Sequence, residues 1–169
     1  MSPVPEDELR TYLLANDKRA PKLNQEFPSE FADVVSLSRG RIGYALELLN
    51  EKRRAPIIKK RRLAEDFVKL FIRSAPAAKK LEVLSEFSTK RDEVITELSL
   101  VREALRDLTL LKTTEDAPLL FWSDREEAID LSCRFTMSSL FELSDRLKRA
   151  EGLLYRNANL KLTMYDLVF

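Results

Sequence analysis

Residues 37–49 read Leu-Ser-Arg-Gly-Arg-Ile-Gly-Tyr-Ala-Leu-Glu-Leu-Leu and contain Gly40 and Gly43, two of the three glycines in a chain of 169 residues. Apolar residues recur at helical spacing after the first glycine, and the shared face consists of Ile42, Ala45, Leu46 and Leu49. Glycine in a helix costs roughly 0.5–1 kcal/mol relative to alanine, so a pair at a helix start indicates close backbone approach or an unusual φ angle. The stretch therefore predicts a tight turn that leads into an amphipathic helix.

The rest of the chain also has the composition of an all-α protein. Apolar residues make up 44% of it, and the seven prolines lie mostly between periodic segments. No segment predicts a strand. Upstream of the glycines, the pattern predicts one helix from Pro5 to about Asn16 with Leu9, Tyr12 and Leu13 on its apolar face, and then an irregular polar stretch with Pro21 and Pro28. A short helix capped by Ser29 is predicted next. Together with the glycine helix, these segments predict a small three-helix bundle in residues 1–55.

The residue types that are missing narrow the chemistry. The chain has no histidine, and Cys133 is its only cysteine, so an internal disulfide, a cysteine zinc cluster and histidine-based catalysis are excluded. We expect Cys133 to pack as a small apolar residue. Adjacent acidic residues such as Glu126 and Glu127 point in different directions on a helix, and no residue of the sequence pairs with them as a catalytic base. We therefore expect no catalytic residue, no metal site and no cofactor.

The sequence also carries no sign of a membrane segment. No apolar run approaches the ~20 residues that cross a bilayer, and no signal-peptide pattern precedes the first helix. The net charge is +1, which favours neither an acidic substrate nor general affinity for nucleic acid. We expect a soluble cytoplasmic protein without a membrane partner.

Positive charge is concentrated in residues 52–62, which contain seven basic side chains and no acidic one. One interpretation is a patch that contacts DNA phosphates or a partner through Lys59, Lys60, Arg61 and Arg62. The alternative is a solvated hinge. Pro56 marks the predicted boundary between a first domain, residues 1–55, and a second domain, residues 56–169.

The second domain has the stronger helical periodicity. Five apolar residues step by four, three, four and three along a helix predicted from about Asp92 to Leu111, namely Val94, Leu98, Val101, Leu105 and Leu108. Further helices are predicted over 77–88, with Leu81 and Leu84 facing inward, and after a capping box at Ser123 and Glu126. Two more are predicted from a Thr163–Asp166 cap to the end and over 138–155, the latter with Leu140, Leu143, Leu147, Ala150 and Leu154 inside. This pattern favours a helical bundle over a coiled coil.

The glycine stretch resembles the lid-domain helix that carries the sensor-2 motif in AAA+ clamp-loader subunits. In ATP-binding members of that family, an arginine three residues after the first glycine touches nucleotide phosphate, and Gly43 occupies that position here. The pattern from Gly40 through Gly43 to Ala45 is similar to the δ′ type of bacterial DNA polymerase III clamp loaders, which the family describes as a non-hydrolysing stator.

Two later motifs resemble the collar domain of the same family. Arg106 and Asp107 lie in a run similar to its Leu-Arg-Asp-Leu-Leu-Leu-Lys sequence, and Asn157-x-Asn159 is similar to the turn before its terminal helix. The resemblance covers essentially the whole chain. It implies an AAA+ lid in residues 1–55 and an oligomerisation collar in residues 56–169, without the N-terminal ATPase domain.

The implied function is assembly of the pentameric loader that places the sliding clamp on primed DNA during replication. The implied partners are the γ/τ and δ subunits, bound through the collar, with clamp and DNA contacted indirectly. Such a role needs exposed apolar surface on the collar. The candidates are Leu119, Leu120, Phe121 and Trp122, although these four residues could equally close the domain's own core.

Two other functions remain open at this point. An ATP-responsive subunit of the γ/τ type would need Arg39 or Arg41 to reach a phosphate in a different register. The absence of a Gly-x-x-x-x-Gly-Lys-Ser/Thr phosphate loop counts against it. The other alternative is a helical nucleic-acid-binding module that uses the basic segment, residues 52–62.

Overall fold

The computed structural model describes residues 4–72, 75–114 and 116–169, and these residues form ten α-helices and no strand. The predicted all-α fold is confirmed. In chain order the helices are α1 (Glu6–Asn16), α2 (Arg19–Glu26), α3 (Pro28–Ser38), α4 (Ile42–Leu48), α5 (Glu51–Leu70), α6 (Ala77–Glu86), α7 (Arg91–Leu111), α8 (Arg125–Arg134), α9 (Met137–Tyr155) and α10 (Leu160–Val168).

The chain divides into two compact units, residues 1–59 and residues 60–169. The division falls within α5, which continues through Pro56 without a break. Each unit has its own apolar core. None of the helices in the described ranges combines the length and the apolar character that crossing a membrane requires.

The first unit contains a helix that the sequence did not predict. Residues between Asp17 and Pro28 were expected to be an irregular polar stretch, whereas α2 forms there and buries Ala20 and Leu23. The Asp17 carboxylate accepts the backbone N–H of Arg19 at 2.8 Å, which satisfies a free donor at the start of the helix. The unit therefore has four short helices before α5, rather than three in all.

Two local details of the first unit also differ from the prediction. Helix α3 begins at Pro28, so Ser29 lies inside the helix and does not cap it. Helix α1 has the predicted bounds and buries Leu9 and Leu13, but Tyr12, which was expected on the same face, is exposed. The main core of the unit is formed by α1, α2, α3 and α4.

Helices α7 and α9 form the centre of the second unit. All five residues of the predicted α7 stripe are buried, as are the five inward positions predicted on α9: Leu140, Leu143, Leu147, Ala150 and Leu154. A long amphipathic helix can bury such a stripe only against another apolar face. Helices α5, α6, α8 and α10 and the segment before α8 add the residues that complete this core.

The start of α8 is shifted by one residue from the predicted capping box. Asp124 is the N-cap residue, and its carboxylate accepts the backbone N–H of Glu127 at 3.1 Å. Ser123 and Glu126 were expected to fill these positions. Aspartate and serine are comparable N-cap residues. Because Ser123 and Asp124 are adjacent, the sequence alone does not decide which of them begins α8.

Candidate functional site

The turn between α3 and α4 requires the first glycine. Arg39 and Gly40 both have positive φ angles, 47° and 73°, and these consecutive left-handed residues end α3. The N–H of Arg41 bonds to the carbonyl of Ser38 at 2.9 Å, and the Gly40 carbonyl accepts the N–H of Val4 at 3.1 Å. The unusual φ angle expected from the sequence is confirmed at Gly40.

Gly43 has no comparable constraint. It lies in the first turn of α4, is exposed, and a Cβ atom built on it would meet no atom within 4 Å. The close approach or unusual φ angle expected at this glycine is therefore absent. Ala45, two residues later, is fully buried in the core of the first unit. Position 43 is therefore an open surface position.

The two arginines beside the turn are surface residues. The guanidinium of Arg41 lies 5.2 Å from the ring centre of Tyr44 and donates a 3.3 Å hydrogen bond to the Ser38 carbonyl. Arg39 is exposed in its left-handed conformation. Because Arg41 already has partners in the turn, a phosphate would compete with contacts that exist within the chain.

The basic segment, residues 52–62, lies on α5, and two of its arginines have internal roles. Arg61 is only 4% exposed; its guanidinium lies 4.4 Å from the ring centre of Phe121 and donates to the Phe121 carbonyl oxygen. Arg54 is also buried and donates to Glu30 at 3.0 Å. Arg61 was predicted to contact DNA or a partner, but its burial removes it from the surface of the second unit.

The remaining basic side chains of the segment face outward. Lys52, Arg53, Lys59 and Arg62 are exposed and Lys60 is half-buried. Of the four side chains predicted to contact DNA or a partner, Lys59, Lys60 and Arg62 therefore stay accessible. The distinction from Arg61 depends on a contact with a residue sixty positions away, so no local pattern in the sequence could show it.

Asp107 is the centre of a buried hydrogen-bond network in the second unit. Its side chain is fully buried on α7 and accepts backbone N–H groups from Leu120 at 2.8 Å and Phe121 at 2.7 Å. Arg106, which is partly exposed, forms a 2.9 Å ion pair with the same carboxylate. Of the two interpretations of the Arg106–Asp107 motif, buried contact or solvated pair, the structure supports buried contact for Asp107.

The residues expected to form an exposed apolar surface lie mostly in the core. Phe121 and Trp122 are buried, and the indole Nε1 of Trp122 donates to the Ala104 carbonyl at 3.1 Å. Leu119 and Leu120 are half-buried. The expectation of an exposed surface is therefore wrong for Phe121 and Trp122, which close the domain's own core, and Leu119 packs partly against that core.

Exposed large apolar side chains of the second unit occur instead on α6, α9 and α10, and the two on α9 are Phe141 and Tyr155. Leu162 is 69% exposed and Tyr165 is 45% exposed on α10, while Leu81 on α6 was expected to face inward but is exposed. A groove of about 540 Å³ separates the two helices, and its apolar lining consists of Leu81, Leu84, Phe87, Leu160, Met164 and Tyr165. We call these residues, with Leu162, the α6–α10 face.

The Asn-x-Asn motif forms the turn from α9 to α10. Asn157 has a φ angle of 62°, as expected for a turn asparagine, and its side chain accepts from the Arg91 guanidinium at the start of α7. Asn159 caps α10 by accepting the N–H of Leu162 at 3.1 Å. The predicted Thr163–Asp166 cap is wrong, because α10 already begins at Leu160.

A second buried carboxylate lies on α9. Glu151 is buried and forms a 2.7 Å ion pair with Arg102 of α7, but its Oε1 atom has no hydrogen-bond partner. Burial raises the pKa of Glu151, and Arg102 offsets only part of that effect. The pair joins the two central helices of the second unit.

Within residues 4–72, 75–114 and 116–169, no three residues of the histidine, cysteine and acidic types lie together in a group that could hold a metal ion. Cys133 is exposed, so the expectation that it packs among apolar residues is wrong. Three exposed features remain as candidate binding surfaces: the position of Gly43, the exposed basic side chains of α5 and the α6–α10 face.

Comparisons with known proteins do not assign the chain to a family. No family model matches it, no curated protein matches it, and no solved structure matches it.

Proposed function

We propose that the chain is a non-hydrolysing structural subunit of a clamp loader, similar to the δ′ subunit of bacterial DNA polymerase III. In this role it supports assembly of the pentameric loader that places the sliding clamp on primed DNA. Its partners are the γ/τ and δ subunits, and it reaches the clamp and DNA through them. The lid corresponds to residues 1–55 and the collar to residues 56–169.

The α6–α10 face is the observation that carries the proposal. A subunit that packs side by side with neighbours in a ring needs apolar surface on its collar, and two exposed side chains of α10, Leu162 and Tyr165, provide it. The adjacent groove of about 540 Å³ offers a concave seat for a neighbour's side chains. Leu162 and Tyr165 make no contribution to the core that explains their apolar character.

Gly43 supports the non-hydrolysing part of the proposal. The position would accommodate an arginine without a clash, since a Cβ atom there meets nothing within 4 Å. Steric constraint within the first unit therefore does not explain the glycine. A structural subunit that does not sense ATP has no need for a cation at this position.

Co-elution with the partner subunits tests the proposal. The chain is mixed at micromolar concentration with γ/τ and δ subunits from the same organism, and complexes are separated by gel filtration. The double variant Leu162→Asp/Tyr165→Asp changes only exposed side chains of α10, and Tyr12→Asp is a control on an exposed aromatic of the first unit. We expect the wild type and the control to co-elute with the partners and the double variant to elute alone. Failure of the wild type to co-elute contradicts the proposal.

A further inference from the structure

One side of α9 exposes two large aromatic side chains. Phe141 is 57% exposed and Tyr155 is 69% exposed. At 3.6 residues per turn, they share an arc of about 80° with three further exposed residues, Asp145, Lys148 and Gly152. We call these five residues the α9 face. It spans about 21 Å of one continuous helix, which lies entirely within the second unit, and it shares no residue with the α6–α10 face.

The fold of the second unit does not explain why position 152 is a glycine. Gly152 lies inside α9, where glycine is destabilising relative to alanine. A Cβ atom built on it would meet no atom within 4 Å, and its φ angle is not positive. Neither internal packing nor backbone conformation therefore requires a glycine here. The missing side chain leaves a gap on an exposed helix, which allows another chain to approach closely.

The charged side chains of the α9 face are available to another molecule. Among the described residues, Asp145 and Lys148 form no ion pair at 4.0 Å or less, whereas Glu151 of the same helix pairs with Arg102 at 2.7 Å. A polyanion would be repelled by Asp145, and a lipid surface would have to desolvate both charges to reach the aromatic rings. An anion and a cation between two aromatic residues match a protein surface with the complementary arrangement.

The α9 face is complementary to itself. Phe141 lies eleven residues before Gly152 in the helix. Asp145 lies three residues before Lys148, and this pair has the same midpoint as the first. A two-fold axis at this midpoint, relating two antiparallel copies of α9, places the Phe141 ring over Gly152 of the second copy. The same rotation places Asp145 beside Lys148 of the second copy. In such an isologous interface each contact occurs twice.

We propose that the chain forms a weak symmetric homodimer by antiparallel packing of two α9 faces. Phe141 fills the gap at Gly152 of the second copy and lies beside its Tyr155, because helical side chains lean toward the N-terminus. A single pair of helices buries less than about 1,200 Å² in total, as in transient complexes. We therefore expect a dissociation constant of about 10–100 µM. The inference does not depend on the proposed loader role, which uses the α6–α10 face.

Sedimentation equilibrium of the full chain at about 5–500 µM tests the inference. Asp145→Lys sets cations against Lys148 of the second copy, and Lys148→Asp sets anions against Asp145, so each should weaken dimerisation by about tenfold or more. An equimolar mixture of the two single variants should dimerise, because each chain then meets the opposite charge. The double variant Asp145→Lys/Lys148→Asp should dimerise as the wild type does. Failure of the mixture and of the double variant to dimerise would overturn the inference.

Gly152→Gln separates the interface from the stability of the helix. Glutamine is a good helix former, so the substitution should raise the Tm of the monomer at low protein concentration. Its side chain also fills the gap that Phe141 of the second copy needs, so dimerisation should weaken by about tenfold or more. Glu86→Lys makes the same change of net charge as Asp145→Lys at an exposed position of α6, and this control should dimerise as the wild type does.

Three results would contradict the homodimer. The wild type could stay monomeric up to about 500 µM, Asp145→Lys could dimerise as strongly as the wild type, or Glu86→Lys could lose dimerisation equally. A monomeric wild type whose co-elution with γ/τ and δ is lost on Phe141→Asp would assign the α9 face to the loader instead. Leu162→Asp/Tyr165→Asp, which tests the loader role, should leave the homodimer intact, so the two proposals fail separately.

Discussion

The carboxylate of Asp107 accepts the backbone N–H of Phe121 at 2.7 Å, although fourteen positions separate the two residues. The Phe121 carbonyl in turn accepts from the buried guanidinium of Arg61 on α5. One peptide segment before α8 is therefore held from two sides, by an anion of α7 and a cation of α5. Both charges are used inside the second unit.

Asp107→Asn should destabilise the protein by about 2–4 kcal/mol. The backbone N–H groups of Leu120 and Phe121 share Oδ2 of the carboxylate, and Arg106 contacts Oδ1. Asparagine has a single, uncharged oxygen, so it weakens the bonds to the N–H groups and sets its NH₂ group against the Arg106 guanidinium. Chemical denaturation monitored by circular dichroism measures the loss. Asp130→Asn is the matched control, because Asp130 is exposed in an ion pair with Arg134 and should cost less than about 1 kcal/mol. Equal effects of the two substitutions would refute the role of Asp107.

Adjacent arginines on α5 provide the second test. Arg61→Gln removes the cation that lies against the Phe121 ring and bonds its carbonyl, and we expect a loss of about 2–4 kcal/mol. Arg62→Gln changes an exposed side chain and should stay within about 0.5 kcal/mol of the wild type. Urea titrations of both variants measure the difference. A larger loss for Arg62→Gln than for Arg61→Gln would contradict the assignment.

The two glycines of residues 37–49 should respond in opposite directions to alanine. Gly40→Ala forces a side chain into a positive φ angle and should destabilise by about 1–2 kcal/mol. Gly43→Ala replaces an exposed glycine of α4 where a Cβ meets no neighbour, so it should stabilise by up to about 1 kcal/mol. Thermal melts of the two variants give the signs. Destabilisation by Gly43→Ala would contradict the conclusion that position 43 has free space for a side chain.

Glu151→Gln should stabilise the protein at neutral pH. Because burial raises the pKa of Glu151 in the folded state, its contribution to stability is fully present below the unfolded pKa and is lost as pH rises through the folded pKa. Glutamine removes this loss, so the difference in Tm between variant and wild type should grow with rising pH and shrink toward pH 4. Glu142→Gln, an exposed position on the same helix, is the control. A Tm difference that is constant across pH would rule out ionisation as the cause.

Helical periodicity in the sequence was enough to predict the second unit's centre. The stripe from Val94 to Leu108 is buried as expected because a long amphipathic helix has only one way to hide such a face. Helix α2 was missed because Pro21 suggested a break, whereas proline is tolerated in a first helical turn, where the N–H has no partner within the helix.

The candidate surfaces were harder to predict. Arg61 and Arg62 are neighbours of the same type, and only a contact with Phe121, far along the chain, separates a buried residue from an exposed one. In the same way, apolar character alone could not show that Trp122 closes the core while Leu162 is exposed. The local spacing of apolar residues shows which residues share a face of a helix. Whether that face is buried depends on contacts with segments far away in the sequence, which the spacing does not show.

Native mass spectrometry of the chain mixed with its γ/τ and δ partners tests the proposed function most directly. The account predicts a pentameric complex that contains one copy of this chain, forms equally with and without ATP, and is lost with Leu162→Asp/Tyr165→Asp. A free monomer at micromolar concentration, or a complex in which this chain is retained only when ATP is present, would contradict it.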